Sequence, residues 1–377
     1  MRLTSFGLGL ACALAGCAGT DAGMLGDDQG TGGHMDMSGS AGDLAHPGGS
    51  DGGAHDLATG GAHDLAGAST DMARQASTDM ARVNTGHAIQ TVFIILMENS
   101  NWSTVKGSAS APYINNTLLP NAAHAEAYNN VPGLHPSEPN YLWLEAGTNF
   151  GITADGLPSG DHQSSTAHLV TQLEAAGITW RSYQEGIDGT TCPLSVVGEY
   201  VPRHNPMVYF DDVTNSNDTA AARCLAHVRP YSELQGDLAS GNVAQYNFIT
   251  PNLCHDAHGS DPLALDFTCL PIVTDLLKTG DTWLSTEIPM IQASAAYTNG
   301  GAIFLTWDES EGSDVPIGMI VASPLAKTAA GGYSNSIAYT HSSTLKSMQE
   351  IFGVTPLLGG AADVATNDLA DLFTTFP

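Results

Sequence analysis

Residues 91–99, Thr-Val-Phe-Ile-Ile-Leu-Met-Glu-Asn, constrain this chain more than any other stretch. An unbroken apolar run from Val92 to Met97 stops at an acid and an amide. Too short to cross a membrane, such a run reads as a strand buried on both faces. Glu98 and Asn99 then stand at its carboxyl end, where open α/β sheets place their ligand sites. A second stretch, 301–307, repeats the plan and ends in Asp308 and Glu309. Either acidic pair alone reads as a strand end facing water. Together they bring carboxylates and an amide to one sheet edge, a donor set suited to a hard divalent cation bound through oxygen. The identity of that metal is left open.

Strand and helix signals alternate beyond this point, which predicts a single α/β domain over 87–377 with a largely parallel sheet and helices on both faces. Strands are expected at 178–183, 246–250 and 317–321. Helices are expected at 111–119, 139–146, 231–239, 281–296 and 341–352, and one capped by Ser165 or Thr166 runs to Ala176.

The N-terminus reads differently. Arg2, an apolar run and Leu14-Ala15-Gly16-Cys17 form a secretory signal over 1–17 that resembles a bacterial lipobox, with Cys17 as the lipidated residue. Residues 18–86 are rich in Gly, Ala, Asp, Ser and His and repeat short units. They are expected to be a flexible tether, not a core-forming segment. No later stretch reaches the about 18 apolar residues of a spanning helix. The expectation is an exported outer-membrane lipoprotein, periplasmic or at the cell surface, whose membrane contact is its lipid.

Cys192, Cys224, Cys254 and Cys269 remain for an oxidising compartment. Three pairings are possible. Cys192–Cys224 and Cys254–Cys269 are favoured because each closes a short local loop, and no C-x-x-C spacing supports zinc. The formal charge is −28, from 11 Lys and Arg against 39 Asp and Glu. That balance excludes nucleic acid as a partner. It also means that an anionic substrate would draw its positive charge largely from a metal. Oligomeric state is not legible.

Ser137 lies between two prolines at the mouth of the expected helix 139–146, with His135 on the same loop. A serine there caps the helix, or uses the helix N-terminus and a nearby cation to stabilise an alkoxide.

Six stretches carry a resemblance: Met97-Glu-Asn99, His135-Pro-Ser-Glu-Pro-Asn-Tyr141, Leu173–Trp180, Arg203-His-Asn-Pro-Met-Val-Tyr209, Thr250–His258 and Thr306-Trp-Asp-Glu309. In this order they resemble the metal-dependent phosphoesterases that include bacterial and fungal acid phosphatases and bacterial phospholipases C, within the alkaline phosphatase-like superfamily. The resemblance implies a three-layer α/β/α sandwich. It implies that Glu98, Asn99, Ser137, Asp308 and Glu309 hold the metal and that Ser137 is the nucleophile that becomes phosphoserine. His258 would contact the transferred phosphoryl group, with His258 or His135 protonating the leaving group. His341 matches a late family histidine and joins Ser137, His258 and His135 as an implied catalytic residue. Glu138, His255 and Gly259 depart from the family pattern and bear on specificity. The implied activity is acid phosphatase action on small phosphomonoesters. The alternatives are a phospholipase C-type phosphodiesterase and, in another class, a non-catalytic surface-binding lipoprotein.

Overall fold

The structure is a computed structural model and describes residues 84–260 and 268–377. The expected signal peptide with Cys17, and the tether up to residue 83, lie outside the described residues.

Along the chain come β1 (Thr91–Met97), β2 (Ala123–Ala125), β3 (Tyr128–Asn129), α1 (Ser137–Ala146), α2 (Leu169–Ala175), β4 (Trp180–Gln184) and β5 (Val228–Pro230). Then follow α3 (Leu234–Ser240), β6 (Tyr246–Thr250), α4 (Leu276–Gln292), β7 (Gly301–Trp307), β8 (Met319–Ala322), β9 (Tyr333–Asn335), β10 (Tyr339–Thr340) and α5 (His341–Phe352). Eight strands form one sheet in the order β5-β4-β6-β1-β7-β8-β2-β9, and β10 pairs with β3 apart from it. The pairs from β5 through β7 are parallel. β8 runs against both its neighbours. This is the predicted α/β fold.

Every residue of β1 and of β7 is buried, so both faces of the sheet centre are covered, as their continuous apolar runs require. The two strands pair in register from Thr91↔Gly301 to Met97↔Trp307. Glu98 and Asp308 therefore leave the same sheet edge at the same level. β6, on the other side of β1, ends at Thr250 and feeds the loop to His258 from that edge as well.

Several elements depart from the sequence reading. α2 begins after His168, not after Ser165 or Thr166. The His168 ring is buried between Glu145 at 2.9 Å and Asp212 at 3.0 Å and stacks on Phe210, which holds its backbone extended. α4 starts earlier than expected, at Leu276, because Asp275 accepts the Lys278 N–H as a side-chain cap. It ends at Gln292, with a separate turn at Ala295–Thr298. The 111–119 segment becomes one wide and one tight turn, tied to α4 by the Asp281 carboxylate, which accepts from Tyr113 and Ile114 N–H. β2, β3, β5, β9 and β10 are too short to show a period in the sequence.

Both favoured disulfides are present. Cys192–Cys224 and Cys254–Cys269 each have Cα atoms 5.6 Å apart. The second closes the loop that follows β6. No helix among the described residues is long and apolar enough to cross a membrane.

Candidate active site

Helix α1 begins at Ser137, with Pro136 as its N-cap residue and no side-chain cap. The hydroxyl of Ser137 is thus not a cap. It donates to Glu98 Oε2 at 3.0 Å, and Tyr141, one turn later on α1, donates to Glu98 Oε1 at 2.5 Å. The helix stops at Gly147, whose φ is 69° and where an added Cβ would meet Leu358 O at 2.5 Å, so only glycine fits. The N-terminus of α1, with its partial positive charge, faces the sheet edge that carries the acids, since the Ser137 hydroxyl reaches Glu98.

Glu98, Asp256 and Asp308 are all fully buried. Burial, then the charges of Asp308 and Asp256, push the Glu98 carboxyl well above its ordinary value. Burial also raises Asp256 and Asp308. Burial followed by Asp308 pushes Glu309 up to about 8, against the downward pull of His135. Carboxylates crowded this way lack countercharge.

Asn99 has φ 43°, a left-handed conformation that asparagine tolerates, and its N–H donates to Asp308 Oδ1 at 3.0 Å. Glu309 accepts from Asn140 at 3.1 Å and contacts His135 Nδ1 at 2.7 Å. The other ring nitrogen of His135 meets Asp314 at 3.0 Å. Burial lowers His135, but Asp314 and Glu309 outweigh it and hold its pKa above the usual imidazole range.

His258 lies on a loop bent by Ala257 at φ 79°. Its Nδ1 is within 2.8 Å of Gly259 O and donates to it, which leaves Nε2 open. Asn99, His135, His258 and Glu309 line one cleft of about 750 Å³, with Leu276 and Pro271 on its apolar side.

His341 is placed differently from the sequence reading. It is fully buried behind Asp308, where Nε2 donates to the Asp308 backbone carbonyl and Nδ1 lies 3.0 Å from the Tyr128 hydroxyl. Burial lowers its pKa to about 4. With both nitrogens engaged it is not a group that meets substrate. It fixes the end of β7.

Two residues given no role in the sequence reading join the cluster. His204 stacks on Tyr141 with ring centroids 5.0 Å apart. Its Nε2 lies 3.3 Å from Glu98 Oε1 and its Nδ1 3.3 Å from Asp256 Oδ2. Burial, then Arg203 and His258, hold His204 well below the usual imidazole range, so it is neutral and has one N–H for two acids. Both residues lie inside stretches that carried the resemblance, but only the tertiary fold brings them to Glu98.

The residues fit a divalent cation. Asp308 Oδ2, Asp256 Oδ2 and His204 Nε2 are buried without a hydrogen bond. Ligand atoms of Glu98, His204 and Asp256 all lie within 4.8 Å of one another. Glu98 is shared between this group and the group of Asn99, Ser137 and Asp308. Buried charge without hydrogen bonds is costly unless a metal or a proton satisfies it.

Comparison with known proteins finds phosphoesterases. The model of the Phosphoesterase family matches residues 126–355. A phosphatidylinositol-3-phosphatase of Mycobacterium tuberculosis is 27% identical over 266 residues, covering 70% of this chain and 77% of that protein. A probable acid phosphatase of Kluyveromyces lactis is 33% identical over 181 residues, covering 46% of this chain and 40% of its own length. An acid phosphatase of Aspergillus niger is 30% identical over 240 residues, covering 60% of this chain and 50% of its own. The chain thus spans about half the length or less of these two fungal relatives. Among solved structures, a sulfatase of Pseudoalteromonas sp. superposes with TM-score 0.48 at 10% identity, covering 81% of this chain and 76% of that one. An alkaline phosphatase superfamily protein of Vibrio parahaemolyticus gives 0.44 at 9%, covering 77% and 76%.

Proposed function

The chain belongs to the phosphoesterase family and is a hydrolase of phosphoric ester bonds, and we propose that it acts on phosphomonoesters with Ser137 as nucleophile. The observation that carries this reading is the Ser137 hydroxyl itself. It stands at the first position of α1, directed at Glu98 and away from a capping role.

A divalent cation held by Glu98, Asn99, Ser137, Asp308 and Glu309, with His204 and Asp256 adjoining, would neutralise phosphate oxygens and ease ionisation of the serine hydroxyl. Ser137 Oγ attacks phosphorus in line with the leaving alcohol, and its proton passes along the existing hydrogen bond toward Glu98 Oε2. His258 in its imidazolium form gives its Nε2 proton to the departing oxygen and recovers one from the water that cleaves the phosphoserine. Water then cleaves the phosphoserine and releases inorganic phosphate. Tyr141 and His341 position Glu98 and Asp308 throughout.

The mycobacterial relative is a phosphatidylinositol-3-phosphatase and the fungal relatives are acid phosphatases. Both support a monoester substrate over a phospholipase C-type diester. Release of p-nitrophenol from p-nitrophenyl phosphate by the 87–377 domain, well above release from p-nitrophenyl phosphorylcholine, is the expected result. The reverse order would favour the diesterase, and no release from either would favour a binding protein. Export and lipidation at Cys17 are part of this proposal, and a Cys17→Ala chain still found in the membrane fraction would contradict them.

A further inference from the structure

Arg203 stands one residue before His204 in the turn Pro202–His204. The other three arginines among the described residues, Arg181, Arg223 and Arg229, each place a terminal guanidinium nitrogen on a carboxylate. Arg203 does not. Its Nε lies 3.4 Å from Asp155 Oδ2, and its two terminal nitrogens make no hydrogen bond with any described residue. A guanidinium left open is unusual in a chain with 39 acids and 11 basic residues.

Its position is set by both sides of the candidate active site. The second oxygen of the same Asp155 carboxylate accepts the N–H of Glu138 at 3.0 Å, one residue after Ser137. On the other side, the Arg203 charge bears on His204 and on Asp256. Arg203 is therefore one carboxylate away from the start of α1 and within electrostatic reach of the acid–imidazole cluster. Its side chain is 14% exposed, so it borders the site without being sealed in it. A dianionic substrate entering among Glu98, Asp256, Asp308 and Glu309 meets repulsion that one open guanidinium offsets. The planar fork of arginine matches two oxygens of one phosphoryl group.

We propose that Arg203 is a substrate-binding residue whose terminal nitrogens grip a dianionic phosphoryl group at Ser137, with Asp155 as its positioning residue, so that the site selects monoesters over diesters. The inference rests on the phosphoesterase reading above. A monoester carries a third non-bridging oxygen and a second charge for the guanidinium. A diester has neither.

The test compares wild type, Arg203→Ala, Arg203→Lys and Asp155→Asn in the divalent-cation-loaded domain. Inorganic phosphate affinity is read by calorimetry, and kcat/KM is measured on p-nitrophenyl phosphate and bis(p-nitrophenyl) phosphate. Loss of a charge-assisted hydrogen bond predicts about a 10- to 100-fold fall in phosphate affinity and in monoester kcat/KM for Arg203→Ala. The diester value should change by less than about threefold on the same scale. Arg203→Lys keeps the charge without the fork and should fall in between, and Asp155→Asn should weaken phosphate binding less than Arg203→Ala. Equal losses on both substrates, or unchanged phosphate affinity, overturn the proposal. If Arg203→Ala does not fold, Arg203→Lys decides by the same ratio. If wild type cleaves neither ester, the phosphoesterase reading fails and phosphate affinity alone decides the role of Arg203.

Discussion

The backbone N–H of Asn99 donates to Asp308 Oδ1 at 3.0 Å, joining the carboxyl ends of β1 and β7 across the sheet edge. One oxygen of Asp308 is thereby fixed by backbone, while Oδ2 is buried without a hydrogen bond. The two strands are locked in register below this contact, so the acids cannot move apart to relieve their repulsion.

That crowding predicts how the site answers metal. A divalent cation should raise the melting temperature of the wild type by about 5–10 °C at saturation. Glu98→Gln removes one of the crowded ionisable carboxyls. Without added cation this variant should melt higher than the wild type, and with cation it should gain little. Thermal melts in chelator and in added divalent salt check both signs. A Glu98→Gln variant with the full wild-type response would show that Glu98 is not a ligand.

His341 supports Asp308 from behind. His341→Ala leaves the buried Asp308 carbonyl without its donor, at a cost of about 1–3 kcal/mol, while the Tyr128 hydroxyl keeps Thr344 Oγ1 at 2.7 Å. Stability and turnover should fall together, and His341→Gln, which can still donate, should recover part of both. Because burial lowers the His341 pKa to about 4, the neutral limb of the pH–rate profile should keep its wild-type midpoint in these variants. A shift in that midpoint would place His341 in the chemistry.

His168 predicts a pH effect on stability through residues outside the candidate metal ligands. Burial lowers it, but Asp212 and Glu145 outweigh burial and raise its pKa above the unfolded value of 6.5. The protonated form is favoured in the folded state. Its contribution is therefore complete below 6.5 and disappears as pH rises through the folded pKa. Melting curves of wild type and His168→Gln should be well separated at pH 6 and converge at alkaline pH. Separation that grows with pH would reverse the assignment.

What the sequence made legible follows from periodicity. The apolar runs of β1 and β7 are continuous because both strands are buried on both faces, so the positions of Glu98 and Asp308 could be read directly. His204 and Asp256 could not, since one ends a short 3-10 turn and the other sits in a bend, and each meets Glu98 only through tertiary folding. Arg203 was equally silent, because open terminal guanidinium nitrogens are visible only after every other pair is made. For Ser137 the sequence left capping and catalysis open. The structure removes capping, since Pro136 is the N-cap residue and the hydroxyl points to Glu98. His341 could be placed on its helix from the sequence, yet its burial behind Asp308 depends on how α5 packs.

The central claim is that Ser137 Oγ accepts the phosphoryl group, and acid-quench trapping tests it most directly. Wild type quenched in acid during turnover of a ³²P-labelled phosphomonoester should carry label on the peptide containing Ser137. Ser137→Ala should carry none, with turnover reduced by several orders of magnitude and a melting temperature within a few degrees of the wild type. Label absent from the Ser137 peptide of an active wild type, or near-normal turnover by Ser137→Ala, would contradict the covalent mechanism.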